Sequence, residues 1–101
     1  MVVVIFRSRL REPAHGYAKA AQHMEDLAAL QPGYRGITSV RDAQGWGITL
    51  SYWEDDQSAR AWHANPDHQA AIRAGKQRWY SEYQVEVARI ERRYSSTDPR
   101  D

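Results

Sequence analysis

Cysteine is absent from all 101 residues, which removes disulfides, iron–sulfur clusters and thiolate catalysis and suits a cytoplasmic location. An excess of one charge is missing too. The 14 basic and 13 acidic residues leave a net charge of +1, too weak a field to gather nucleic acid or anionic lipid. The apolar run Val2 to Phe6 is short, is followed by Arg7 and Arg9 and carries no cleavage site, so neither a signal peptide nor a membrane span is expected. There is no phosphate-cradling glycine loop and no GxSxG elbow, and the Gly33 to Gly36 segment reads as a turn. Metal-ligand spacing is lacking as well: His15 and His23 are eight apart in one predicted helix, His63 and Asp67 straddle Pro66, and no third ligand converges on either pair.

What is present is an ordinary globular composition, 42% hydrophobic and 27% charged, with a mean hydropathy of -0.80. A single domain of this length buries roughly 60 to 70% of its unfolded surface. Val2 to Phe6 forms a run of β-branched and aromatic residues, expected to be a strand covered on both faces and reaching about Leu10. After Pro13, Tyr17, Ala20, Ala21, Met24, Leu27, Ala28 and Leu30 recur at helical steps, and Gln31, Pro32 and Gly33 stop the helix. Ile37 and Val40 mark a second strand. A turn at residues 43 to 45 then leads into the alternation of Trp46, Ile48, Leu50 and Tyr52, which completes a hairpin. Acidic Glu54, Asp55 and Asp56 open a second helical region; Asn65 before Pro66 breaks it, and Pro66 starts the next helix. Tyr83, Val85, Val87 and Arg89 carry the period of a last strand. The order β-α-β-β-α-β is that of an α+β, ferredoxin-like fold, an antiparallel sheet with its helices on one face. The ordered domain is expected over 1–94, with a polar, frayed tail over 95–101.

Strand one is apolar at Val3 and Ile5 as well as at Val4 and Phe6, so the helix-free face needs cover. A second copy of the chain, related by a two-fold axis, is the simplest cover, and a homodimer is predicted with Arg7 and Arg9 bordering its seam.

The stretch Ser51 to Tyr94 holds three of the four tryptophans, four tyrosines and two histidines. Rings clustered beside His and Arg either line a ligand cavity or fill a core. In the second helical region His68, Ile72, Gly75 and Trp79 fall at steps of four, three and four, placing them on one helical face. A His on such a desolvated face stays neutral and able to accept a proton; alternatively it packs and hydrogen-bonds at a helix start. Gly75 makes room for a ligand or for a neighbouring ring. Trp53 and Trp62 either flank a flat pocket between sheet and helices or close the end of the core.

The string from Pro32 through SYWEDDQSARAW, the His six residues after Trp62, Gly75 and the Trp79–Tyr80 pair resembles the antibiotic biosynthesis monooxygenase superfamily of dimeric α+β barrels, over nearly the whole ordered chain. The resemblance implies a cofactor-free monooxygenase acting on a flat, electron-rich aromatic. Members that oxidise polycyclic phenols to quinones without metal or flavin are similar to this chain at Trp53; their strand asparagine falls on Thr49 and their helix tyrosine on Ala59. Haem-degrading members use positions that here read Ser8, Trp62 and Ile72, so haem would need His68, one turn earlier, in place of the axial ligand. The site expected from the resemblance takes His68 as proton acceptor, Trp53, Trp62 and Trp79 as walls, and Tyr80 or Tyr83 as hydrogen-bond donors, with Thr49 and Ser8 as further substrate contacts. No cofactor and no metal is expected. The alternative is a module of the same fold that binds a small aromatic ligand, or serves in stress, without chemistry.

Overall fold

The structure is a computed structural model, described over residues 1–97. Strands β1 (Val2–Leu10), β2 (Tyr34–Arg41), β3 (Trp46–Trp53) and β4 (Tyr80–Arg89) form one sheet in the order β2-β3-β1-β4 with every pairing antiparallel. Helices α1 (Tyr17–Ala28), α2 (Asp56–His63) and α3 (Pro66–Ala74) connect them, and a π-helical turn, Gly75–Trp79, leads into β4. This is the ferredoxin-like arrangement expected from the element order.

The strand register decides which side chains meet the helices. Val2 pairs with Trp53 and Arg89, Val4 with Ser51 and Val87, Phe6 with Thr49 and Val85, and Ser8 with Gly47 and Tyr83. These alternate residues share one face, and there Val2 and Trp53 form the core with Ala28, Ala59 and Trp62 of the helices. The opposite face carries Val3, Ile5, Arg7 and Arg9 of β1 beside Trp46, Ile48, Leu50 and Tyr52 of β3. β1 is therefore buried by helices on one side only, with Trp46 43% and Ile48 41% exposed on the other. Arg9 lies over the Trp46 ring at 5.4 Å, and Arg7 is 3.7 Å from Glu86.

Two local differences from the sequence reading have physical causes. Leu30 is not on the buried face of α1: the helix ends at Ala28, and the Leu30 and Gln31 amides turn back to the Leu27 and Ala28 carbonyls. These tighter i to i−3 bonds rotate Leu30 into solvent, where it is 79% exposed. The last strand begins at Tyr80 rather than Tyr83, because the π turn ends at Trp79 and Tyr80 is already extended. The expected tail runs, from residue 98 onward, outside the described residues.

Helix starts follow the expected chemistry. The Asp55 carboxylate accepts the Ser58 amide at 2.8 Å, and the Asn65 side-chain carbonyl accepts the amides of Asp67 and His68 at 2.9 and 3.2 Å. Pro66 then occupies the first turn of α3, where its missing N–H leaves nothing unsatisfied.

Candidate functional site

A cavity of about 840 Å³ lies between the helices and the sheet. Its floor is Val4, Phe6, Ile37, Ser39, Thr49 and Ser51; α1 contributes Tyr17 and Met24, and the later elements contribute Trp62, His68, Ile72, Trp79, Tyr80 and Tyr83. The predicted face of α3 thus does reach a hollow, with His68, Ile72 and Trp79 all on it. Gly75 serves a neighbouring ring: a Cβ there would lie 2.6 Å from Tyr80 Cε2.

Tyr80 and Tyr83 are three residues apart, so a regular strand would aim them at opposite faces. The register of β4 slips between Arg9, paired with Glu82, and Leu10, paired with Tyr80. This bulge skips Ser81 and returns both phenols to the cavity side. There they surround Phe6, with ring centroids at 5.3 and 6.0 Å. Burial pushes the Tyr80 phenol far above its ordinary pKa, reinforced by the adjacent Tyr17 phenol and opposed by Arg41. It stays protonated and able to donate.

His68 is stacked on Trp62, with centroids 4.3 Å apart and planes 11° from parallel, and its Nδ1 lies 3.0 Å from the Trp62 carbonyl. A carbonyl only accepts, so Nδ1 carries the proton and the neutral ring keeps its lone pair on Nε2. Nε2 has no partner among the described residues, yet no enclosed side-chain polar atom among them is unsatisfied. It is therefore solvent-accessible, on a residue that lines the cavity. Burial pushes the His68 pKa down; the bond to Trp62 opposes this and the nearby His63 assists it. The geometry provides an oriented imidazole with a free Nε2 on an aromatic shelf.

The other predicted residues divide. Trp62 and Trp79 line the cavity, and the Trp79 indole N–H donates to the His15 carbonyl at 2.9 Å. Thr49 is on the floor with its hydroxyl 2.7 Å from that of Ser39. Trp53 and Ser8 are both 0% exposed and stand behind the walls. Trp53 donates to Ser51 Oγ at 3.0 Å and stacks beneath Trp62 at 6.1 Å, so it supports the shelf rather than forming its surface. Ser8 is engaged by Arg41, and Ile72 has no ligating atom. The strand-one and axial positions of the haem-degrading arrangement consequently offer no ligand to the cavity, and the residues present do not fit haem held in that way.

Sequence reasoning missed a polar cluster at the β1 C-terminal end of the sheet. Arg41 Nη1 donates to the carbonyls of Ser8 and Gly45 at 3.1 and 2.6 Å, and Nη2 to Ser8 Oγ and the Tyr17 hydroxyl at 2.8 and 3.0 Å. The guanidinium also lies over the Tyr17 ring at 5.2 Å. Gly47 permits this: a Cβ there would be 2.5 Å from Arg41 Cζ. The available signal was one glycine inside a strand of alternating large residues, which marks close approach by another group.

The antibiotic biosynthesis monooxygenase profile matches residues 1–74. The chain is also 45% identical over 89 residues to the uncharacterized protein YqjZ of Bacillus subtilis (strain 168), spanning 88% of this chain and 78% of that protein. The chain belongs to the antibiotic biosynthesis monooxygenase family. Among solved structures, SnoaB, a cofactor-independent oxygenase from Streptomyces nogalater, superposes with a TM-score of 0.77 at 16% identity, covering 96% of this chain and 97% of SnoaB. Rv0793 from Mycobacterium tuberculosis gives 0.81 at 16% identity, covering 93% of this chain and 98% of that one. At such identities the likeness is one of fold. No helix among the described residues is long and apolar enough to cross a membrane.

Proposed function

We propose that this protein is a monooxygenase without a resident metal or organic cofactor, oxidising a flat, electron-rich phenol, quinol or anthrone-like compound with O2. The observation that carries the reading is the His68 imidazole on the cavity wall, tied at Nδ1 to the Trp62 carbonyl and with no partner at Nε2 among the described residues. Nε2 removes a proton from the substrate, and the resulting delocalised anion is electron-rich enough to reduce O2 directly. At an anthrone-like methylene the carbon loses two hydrogens and gains one oxygen atom, becoming a carbonyl, while the second oxygen atom leaves as water. The chain's part is to hold the ring flat between aromatic walls, accept the proton and donate hydrogen bonds to the anion. Trp62 and Trp79 form the walls, Trp53 supports Trp62, and Tyr80 or Tyr83 donates.

The same reading places two copies together through the helix-free sheet face, where Trp46 and Ile48 are exposed, and puts the protein in the cytoplasm. The test is oxygen uptake with a panel of anthrones, hydroquinones and polycyclic phenols. Uptake that disappears in His68→Ala while the fold persists supports it; no uptake with any member refutes it. A binding role without chemistry is favoured by Thr49, whose hydroxyl is taken by Ser39, and by apolar Ala59, since both stand where quinone-forming relatives have polar groups. Thermal stabilisation by the panel without turnover would decide for it.

A further inference from the structure

The proposed reaction leaves the cluster around Arg41 unexplained. Arg41 is half-buried, and four of its N–H···O contacts go to two carbonyls and two hydroxyls. It has no ion-pair partner among the described residues, where the three ion pairs are Arg7–Glu86, Arg35–Glu54 and Arg60–Asp56. A partly desolvated guanidinium matched only by neutral acceptors leaves positive potential beside the cavity. Arg41 itself is not on the cavity wall, but Tyr17 is. Tyr17 Oη accepts from Arg41 Nη2 and faces the Tyr80 phenol, whose protonated form their contact favours; with Tyr80 as donor in that contact the Tyr17 O–H is left to donate, and donation strengthens when the same oxygen accepts from a cation.

We propose that Tyr17 is a substrate-contacting hydrogen-bond donor for an anionic oxygen, and that Arg41 is the positioning residue that holds and polarises it. The inference rests on the aromatic-cavity reading above and adds a demand on the substrate. Trp53, beneath the His68 shelf, pairs with Val2, whereas Arg41 grips Ser8 of the same strand. Val2 and Ser8 lie toward opposite ends of β1. The proton acceptor and the Tyr17 donor therefore stand toward opposite ends of the hollow. The fitting substrate class is a fused, conjugated aromatic carrying a hydroxyl or carbonyl oxygen at the end remote from the proton it loses. Conjugation delivers the negative charge created near His68 to the oxygen at Tyr17.

The test uses equilibrium binding of two coloured probes to the intact protein: lawsone, a hydroxynaphthoquinone that is an anion at neutral pH, and the parent naphthoquinone. The chain has no cysteine to react with either. Tyr17→Phe keeps the ring and its packing. It should weaken lawsone about tenfold, the usual size of one hydrogen bond to a charged group, with naphthoquinone changed less than about twofold. The visible band of bound lawsone should move between wild type and Tyr17→Phe, a response that loosened packing alone does not produce. Arg41→Lys, with its melting temperature checked, should fall between the two. Equal loss of both probes, or no change with lawsone, overturns the inference while the aromatic cavity stands. Binding of neither probe by the wild type overturns both. Oxygen uptake absent alongside Tyr17-dependent lawsone binding overturns only the catalytic reading.

Discussion

Gly47→Ala sets two physical effects against each other. Gly47 lies within β3 and its φ is not in the left-handed region, so chain entropy alone predicts that alanine stabilises the strand by about 0.5 to 1 kcal/mol. The new Cβ, however, would lie 2.5 Å from Arg41 Cζ and 2.7 Å from both terminal nitrogens. A guanidinium ends a flexible side chain and swings aside without much strain. The loss is therefore the set of hydrogen bonds it leaves behind, chiefly Ser8 Oγ, which is enclosed in a residue 0% exposed. Stranding a buried polar group costs about 1 to 3 kcal/mol, with the displaced contacts to the Ser8 and Gly45 carbonyls adding to it. The net expectation is destabilisation by about 1 to 3 kcal/mol, a fall in Tm of roughly 5 to 20 °C for a domain of this size. Thermal and urea melts followed by circular dichroism measure it. Adding Gly47→Ala to an Arg41→Met background, where no guanidinium remains to be displaced, should be nearly neutral. A Gly47→Ala protein as stable as wild type, or an equal loss in both backgrounds, would refute the reasoning.

Other outcomes follow from the same geometry. Because burial lowers the His68 pKa, the neutral ring should persist through neutrality and oxygen uptake should decline only below about pH 6.5. Stability has the matching sign: the native state disfavours the charged ring, so the His68 contribution is complete above the unfolded pKa and lost as pH falls through the folded one. Urea melts between about pH 8 and about pH 5 should show this slope, reduced in His68→Gln. Trp62→Ala removes a 7% exposed ring touching both Trp53 and His68 and should cost about 3 to 5 kcal/mol in a urea melt. Asn65→Ala, which deletes the cap of α3, should cost about 1 kcal/mol by the same measurement. Light scattering should give a dimer for the wild type and a monomer for Trp46→Glu with Ile48→Glu; a wild-type monomer contradicts the assigned role of the helix-free face.

The sheet was legible because β3 and β4 carry a two-residue period, β1 an unbroken apolar run and the helices a three-to-four-residue period, and because Asn65–Pro66 and Asp55 punctuate the chain by local chemistry. His68 was legible for the same reason, since spacing alone puts it on the face of Ile72 and Trp79. What spacing could not show was irregular backbone. The slip at Ser81 that turns Tyr80 and Tyr83 to one side depends on pairing between residues some seventy positions apart. Leu30 was misplaced because a tighter last turn obeys no sequence period. The Arg41 cluster joins β1, α1 and β2, and only Gly47 hinted at it. Trp53 read as a wall because an indole's pattern does not reveal whether its N–H finds a hydroxyl two residues away, as it does at Ser51.

The central claim is that His68 Nε2 takes a substrate proton inside an aromatic cavity and so starts the reduction of O2. An oxygen-electrode assay on metal-free wild type and His68→Ala, across anthrones, hydroquinones and polycyclic phenols, addresses it most directly. The account predicts uptake by the wild type with at least one fused-ring member and loss of about 100-fold or more in His68→Ala, with circular dichroism unchanged. Equal uptake by both proteins, or none by the wild type, contradicts it.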